Sequence, residues 1–160
     1  MGGVALAGKR VSYDEGNRVA QEALLRLKGA FDQAIVCGSI RRNRPTVGDV
    51  DLVVLGNDKL DETLIKLCGV QKNGKPARKF LLDGVQVDIY PATIEDFGAQ
   101  MLMWTGSKLF NIRCRKAAQE RGFLMNQYGV WKNDQRLFGA TEESVLTGLG
   151  MKWIPPEERE

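Results

Sequence analysis

Gly38-Ser39-Ile40-Arg41-Arg42-Asn43-Arg44 leads into Gly48-Asp49-Val50-Asp51-Leu52-Val53-Val54-Leu55, and these residue types suit phosphoryl chemistry. Side chains alternate across a strand, so Asp49 and Asp51 share one face of the 49–55 run while Val50, Leu52 and Val54 share the other. Two carboxylates roughly 7 Å apart by Cα, from about 3.3 Å of rise per residue, can converge on a hard cation. A Gly-Ser turn flanked by Arg41, Arg42 and Arg44 offers backbone N–H groups and guanidinium forks to phosphate oxygens. The combination reads as a site for metal-dependent phosphoryl transfer. An Asp-x-Asp also occurs at solvated strand edges, and three arginines in a loop can be mere wet surface. A third carboxylate on a second strand would separate these readings.

Asp88 is the candidate. Asp83-Gly84 is a favoured two-residue hairpin turn between the runs 77–82 and 85–90. In the second arm Val85, Val87 and Ile89 share one face, which leaves Gln86, Asp88 and Tyr90 on the other. An Asp inside a strand is disfavoured, and burying it without a partner costs stability. If this arm pairs beside 49–55, the three Asp residues form a cluster of the type that holds two Mg²⁺ ions about 3.5–4 Å apart. The alternative partner for Asp88 is a neighbouring cation such as Arg41.

Composition narrows the chemistry. The 160 residues are 43% hydrophobic and 27% charged, enough for one compact domain or two small lobes sharing a core. Histidine is absent, which removes His-based triads, HExxH metallopeptidases and His-ligated zinc deaminases. Cys37, Cys68 and Cys114 are odd in number and scattered without a CxxC, so neither a disulfide framework nor a thiolate zinc site is expected. Reduced thiols fit an intracellular compartment, cytoplasmic or, for a viral protein, inside the host cell. The net charge of +3 is mild. No apolar run approaches the ~20 residues of a membrane span, and Met1–Gly8 lacks a basic segment before its short apolar patch. The expectation is a protein that is neither secreted nor bound to membranes.

The positioning elements follow in chain order. Ser12 and Glu15 have capping-box spacing, and Val19, Ala20, Ala23, Leu24 and Leu27 continue a helix towards Gly29. Strands are expected at 34–37 and 49–55. Leu60, Leu64, Leu67 and Cys68 mark a second helix ending at Gly69. Beyond Pro91 the pattern changes to helices: one from Thr93 to Thr105, capped by Thr93 with Asp96 at its third position, and another from the cap Ser107 to Arg121. Phe110, Cys114, Ala117 and Ala118 form the inward stripe of the latter, with Lys108, Asn111 and Arg115 on a different face. Residues 123–138 read as a short hairpin around Asn133-Asp134, and Thr141 caps a last helix. The tail from Pro155 is expected to be extended and exposed. Between 108 and 136, seven basic residues stand against two acids, a pattern suited to nucleic acid.

Gly38-Ser39-Ile40-Arg41-Arg42, Gly48-Asp49-Val50-Asp51, Val87-Asp88, Trp104-Thr105-Gly106-Ser107, Asn111, Arg115, Asn126-Gln127-Tyr128-Gly129 and Ile154-Pro155-Pro156-Glu157 together resemble DNA polymerase family X, the group of DNA polymerase beta. The likeness spans about residues 9 to 160, and the chain looks similar to the minimal viral members, which have only palm and C-terminal domains. It implies an α+β fold: a linker helix within 1–29, a nucleotidyltransferase palm at 30–91 with a mixed β-sheet and flanking helices, and a small helical domain at 92–160 with a short β-hairpin. It also implies a DNA-directed DNA polymerase that adds dNMP to a primer by a two-metal mechanism, in repair or replication, without a lyase domain.

By the same resemblance, Asp49, Asp51 and Asp88 are catalytic and hold two Mg²⁺ ions, for which Mn²⁺ can substitute. Gly38, Ser39, Arg42 and Gly48 hold the phosphates. Trp104, Thr105 and Gly106 lie against sugar and base, and Asn111 contacts the base. Arg115, with Lys108, Arg113 and Lys116, meets DNA. The implied partners are primer-template or gapped DNA and a dNTP, and the implied state is a monomer. Met103 replaces an aromatic found before Trp104 in the family, and Gln86 replaces a basic neighbour of the third Asp. The alternative is a template-independent or relaxed nucleotidyltransferase acting on single strands or another hydroxyl acceptor.

Overall fold

In the computed structural model, which describes residues 8–160, a two-residue strand β1 (Val11–Ser12) leads into α1 (Tyr13–Arg26). The segment 1–7, where a leader was sought, lies outside the described residues. Ser12 caps α1 by accepting from the Glu15 N–H at 3.2 Å, as the capping-box spacing requires. Next come β2 (Phe31–Val36), the four-residue helix α2 (Gly38–Arg41), β3 (Thr46–Val47), which pairs with β1, and β4 (Asp49–Gly56). After α3 (Leu60–Cys68), the hairpin β5 (Lys79–Leu82) and β6 (Val85–Ala92) turns at Asp83-Gly84, both with positive φ.

These strands form one mixed sheet in the order β2-β4-β6-β5, with β4 and β6 parallel and the other neighbours antiparallel. Its apolar face is the alternation read from sequence. Val50, Leu52, Val54, Val85, Val87 and Ile89 are buried against Val19, Ala20 and Ala23 of α1 and Leu27 at its C-cap. Each such large aliphatic side chain contributes about 1.5–3 kcal/mol on burial. Parallel pairing sets Asp51 directly opposite Asp88, so burying the apolar face forces both carboxylates onto the other one.

The second half builds its own core. Helices α4 (Phe97–Thr105), α5 (Lys108–Glu120) and α6 (Glu142–Gly148) enclose Leu102, Phe110, Cys114, Val145 and Leu146 with Met125 and Val130 of a small antiparallel sheet. Its strands are β7 (Leu124–Asn126), β8 (Gly129–Lys132) and β9 (Gln135–Phe138). Gly98 lets α4 approach the start of α6, because a Cβ there would collide with the Thr141 backbone. Cys37, Val53 and Phe97 connect the two cores, with Tyr90 and Trp104 packed on them. Among the described residues, no helix is long and apolar enough to cross a membrane.

Four expectations are corrected. The first long strand occupies Phe31–Val36 rather than 34–37. The helix expected from Thr93 starts at Phe97, because Asp96 Oδ1 accepts from the Thr93 N–H at 2.8 Å and the Asp96 N–H returns to the Thr93 carbonyl, closing a turn first. The 123–138 hairpin gains a third strand, since Asn126 Oδ1 accepts from the Tyr128 N–H and turns β7 into β8. Finally, the tail is not wholly exposed: Arg159 is fully buried.

Candidate active site

Alternation along β4 and β6 presents Asp49, Asp51 and Asp88 together, each offering a carboxylate oxygen within 4.8 Å of the others. Asp88 is only 4% exposed. Its partners are the Gln86 amide, which donates to both oxygens at 3.0 and 3.1 Å, and the Lys79 ammonium, 3.9 Å from Oδ1 and itself mostly exposed. Burial pushes the Asp51 carboxyl up to about 7, reinforced by the charges of Asp49 and Asp88 and opposed by the Tyr90 hydroxyl and Arg42. Burial also raises Asp88, against Gln86 and Lys79. A cluster of hard oxygen donors that repel one another and lack a buried cation fits divalent metal ions.

Arg41 does not answer Asp88. Its guanidinium points away and forms a bidentate pair with Glu142 at 2.6 and 2.8 Å, with a further bond to Thr105 Oγ1 at 2.8 Å. Glu142 also accepts from Arg159 at 2.7 Å. The Arg159 side chain lies over the rings of Phe110 and Trp153 and bonds the Ile154 carbonyl, and its own carbonyl accepts from the Ser107 N–H. Glu142 is therefore held below its ordinary range: burial opposes this, but the two guanidinium groups outweigh it.

Asp49 and Asp51, but not the buried Asp88, open onto a cleft of about 430 Å³, which Gly38, Ser39 and Arg42 also line on that side. Met103, Trp104, Thr105, Gly106, Lys108, Asn111 and Arg115 line the other. Gly38 has φ +63° and packs so tightly on Asp51 that a Cβ would overlap the carboxylate. Arg42 donates to the Thr105 carbonyl, which fixes its guanidinium at the cleft, while its Nε is buried without a partner. Asn111 donates through Nδ2 to the Met103 carbonyl at 2.8 Å and leaves Oδ1 buried and unpaired. Arg115 contacts the Met103 sulfur at 3.4 Å.

Other expected site residues lie elsewhere. Gly48 sits against the Arg10 guanidinium instead of lining the cleft. Arg113 faces the Phe110 ring and bonds the Glu160 carbonyl, and neither it nor the exposed Lys116 lines the cleft.

The family model of the DNA polymerase beta thumb matches residues 100–160. The chain is also similar to the repair DNA polymerase X of African swine fever virus, with 29% identity over 176 residues that cover 96% of this chain and 97% of the viral one. The chain is thus similar to members of DNA polymerase family X over nearly its whole length. Over 78 residues it is 37% identical to human DNA-directed DNA/RNA polymerase mu, matching 47% of this chain but only 16% of that protein. The fold is that of Leishmania infantum polymerase beta, solved as a ternary P/T complex, with a TM-score of 0.69, 24% identity and coverage of 96% of this chain and 78% of that one. These relatives are DNA polymerases. Among the described residues, Asp49, Asp51 and Asp88 are the acidic group arranged to hold metal.

Sequence reasoning missed three residues that support this cleft. Tyr90 donates its hydroxyl to Asp51 Oδ1 at 3.0 Å. Gln100 accepts from the Trp104 indole N–H at 3.1 Å. Arg159 completes the Glu142 cluster. Only Tyr90 left a signal in the sequence, its shared strand face with Asp88.

Proposed function

We propose that the protein is a template-directed DNA polymerase that transfers dNMP from a dNTP to a primer 3′-hydroxyl, filling gaps or extending short primers. The observation that carries this reading is the carboxylate cluster at the edge of a cleft whose opposite side holds Trp104, Asn111 and Arg115. Asp49, Asp51 and Asp88 would hold two Mg²⁺ ions, with Mn²⁺ able to substitute. Bound there, the ions lower the pKa of the attacking hydroxyl and neutralise the triphosphate and departing pyrophosphate.

The chain's own groups do the positioning. The Gly38 and Ser39 backbone, the Ser39 hydroxyl and the Arg42 guanidinium bind the β- and γ-phosphates, with Gly48 giving room beside Asp49. Pinning Arg42 on the Thr105 carbonyl removes rotamer freedom before the nucleotide arrives, which favours tight phosphate binding. Trp104, Thr105 and Gly106 form the wall for sugar and base. Asn111 reads the base edge with its unpaired Oδ1 or by releasing Met103, and Arg115 reaches the template side. Lys108, Arg113 and Lys116 meet DNA phosphates. This reading divides the chain into an N-terminal segment 1–29 packed on a palm at 30–91 and a nucleotide-binding domain at 92–160, and the two separate apolar cores support the boundary near 92.

Primer extension on open, gapped and unpaired DNA, with each dNTP and rNTP alone, tests the proposal. Mg²⁺-dependent addition of the nucleotide complementary to the template base supports it. Equal use of all four dNTPs, or efficient extension of unpaired strands, would replace it with a relaxed transferase.

A further inference from the structure

Tyr90 occupies the strand face of Asp88, two residues along β6, and is engaged at both ends. Its hydroxyl donates to Asp51 Oδ1 at 3.0 Å. Its ring stacks on Trp104 with centroids 4.1 Å apart and planes 11° from parallel. Trp104 is fixed on its edge as well: its indole N–H donates to Gln100 Oε1, while the Gln100 amide donates to the Pro91 carbonyl and to Asp96 Oδ1. Pro91 follows Tyr90 directly, so one short piece of β6 governs both contacts of the indole.

We propose that Tyr90 is a positioning residue that couples cation binding at the carboxylates to the seat of the incoming sugar, its hydroxyl steering Asp51 and its ring backing Trp104. The coupling to the sugar rests on the polymerase reading; the steering of Asp51 does not. A hydrogen bond to one carboxylate oxygen fixes the group's rotation and leaves the other oxygen packed against Gly38. Stacking fixes the plane of the indole that lines the cleft. A displacement of Asp51 on taking up a cation is thereby passed through one rigid ring to Trp104.

The test compares wild type, Tyr90→Phe and Tyr90→Leu in two assays. The first is binding of Mn²⁺ alone, followed by the electron paramagnetic resonance signal of the free ion. The second is the ratio of kcat/KM for dNTP over rNTP. Tyr90→Phe keeps the stack and loses the hydroxyl, so Mn²⁺ affinity falls roughly tenfold, the usual effect of removing a group that orients a ligand. Its dNTP/rNTP ratio stays within about twofold of wild type. Tyr90→Leu loses both contacts, and the ratio falls severalfold further. Wild-type Mn²⁺ affinity in Tyr90→Phe overturns the steering role, and an unchanged ratio in Tyr90→Leu overturns the backing role. Should wild type add no nucleotide to any primer, the polymerase reading and the sugar coupling fall together, while the Mn²⁺ comparison still decides the hydroxyl's role.

Discussion

Arg41 and Glu142, 101 positions apart in the chain, meet in a bidentate ion pair at 2.6 and 2.8 Å. Arg41 belongs to α2, whose Gly38 and Ser39 line the cleft, and Glu142 opens α6 in the second core. With Thr105 bonded to the same guanidinium, the pair fixes one side of the cleft relative to the other.

Glu142→Gln leaves two guanidinium groups buried without their counter-charge. Breaking a buried pair by removing one partner costs about 3–5 kcal/mol. Urea denaturation should show a loss of that size, with an unchanged slope if the unfolded state is unaffected.

Acid titration should show the same cluster. The folded pKa of Glu142 lies below its ordinary value of 4.5, so its contribution is complete above about pH 4.5 and disappears as the pH falls through the folded value. Stability measured from pH 6 to 3 should drop more steeply for wild type than for Glu142→Gln, and the two curves should converge at the acid end.

Asp88→Asn keeps the shape of a 4%-exposed side chain and one oxygen to accept from Gln86, but removes its charge from the cluster. Nucleotide addition should fall by on the order of a thousandfold or more, the scale on which transition-state charge stabilisation is lost. The melting temperature should hold or rise, because Asp88 no longer repels Asp49 and Asp51. A parallel loss of fold and activity would contradict the metal-ligand role.

Asn111→Ala and Arg115→Ala separate base recognition from DNA contact. Loss of one hydrogen bond to the nucleotide raises its KM about tenfold in Asn111→Ala, with kcat less affected. Arg115→Ala should lower the selectivity for the complementary dNTP while melting like wild type. Single-nucleotide kinetics on one gapped substrate distinguishes the two variants.

Gly38→Ala combines a left-handed backbone with a Cβ driven into Asp51. The conformational cost alone is about 1–2 kcal/mol. Because the displaced group is a proposed metal ligand, Mn²⁺ affinity should fall further than that stability loss implies. Metal binding and thermal melting of the same preparation measure both.

The sequence by itself determined what depends on neighbours along the chain. Caps at Ser12, Ser107 and Thr141 bond their expected N–H groups, and Asp83-Gly84 makes its turn, because those interactions span only a few residues. Two-residue alternation placed Asp49 and Asp51 on one face and Asp88 on the face opposite Val87, and the burial of one apolar sheet face then brought the three together. Local signals also misled: Thr93 bonds Asp96 in a turn rather than starting the helix, and Asn126 starts a strand reversal that lacks a strong turn pair.

Only the tertiary structure decided where the long cations go. Arg41, Arg42 and Arg44 are alike in sequence, yet Arg41 turns from the cleft to pair with Glu142 while Arg42 remains at the cleft. Arg159, in a polar tail, becomes fully buried because Glu142 and two aromatic rings offer it a charge-matched site. The free energy of a buried ion pair depends on desolvation and on partners supplied by distant segments, so spacing along the chain carries no record of it. The same holds for Tyr90, whose hydroxyl and ring acquire their partners only when β6 lies beside β4 and α4 packs across both.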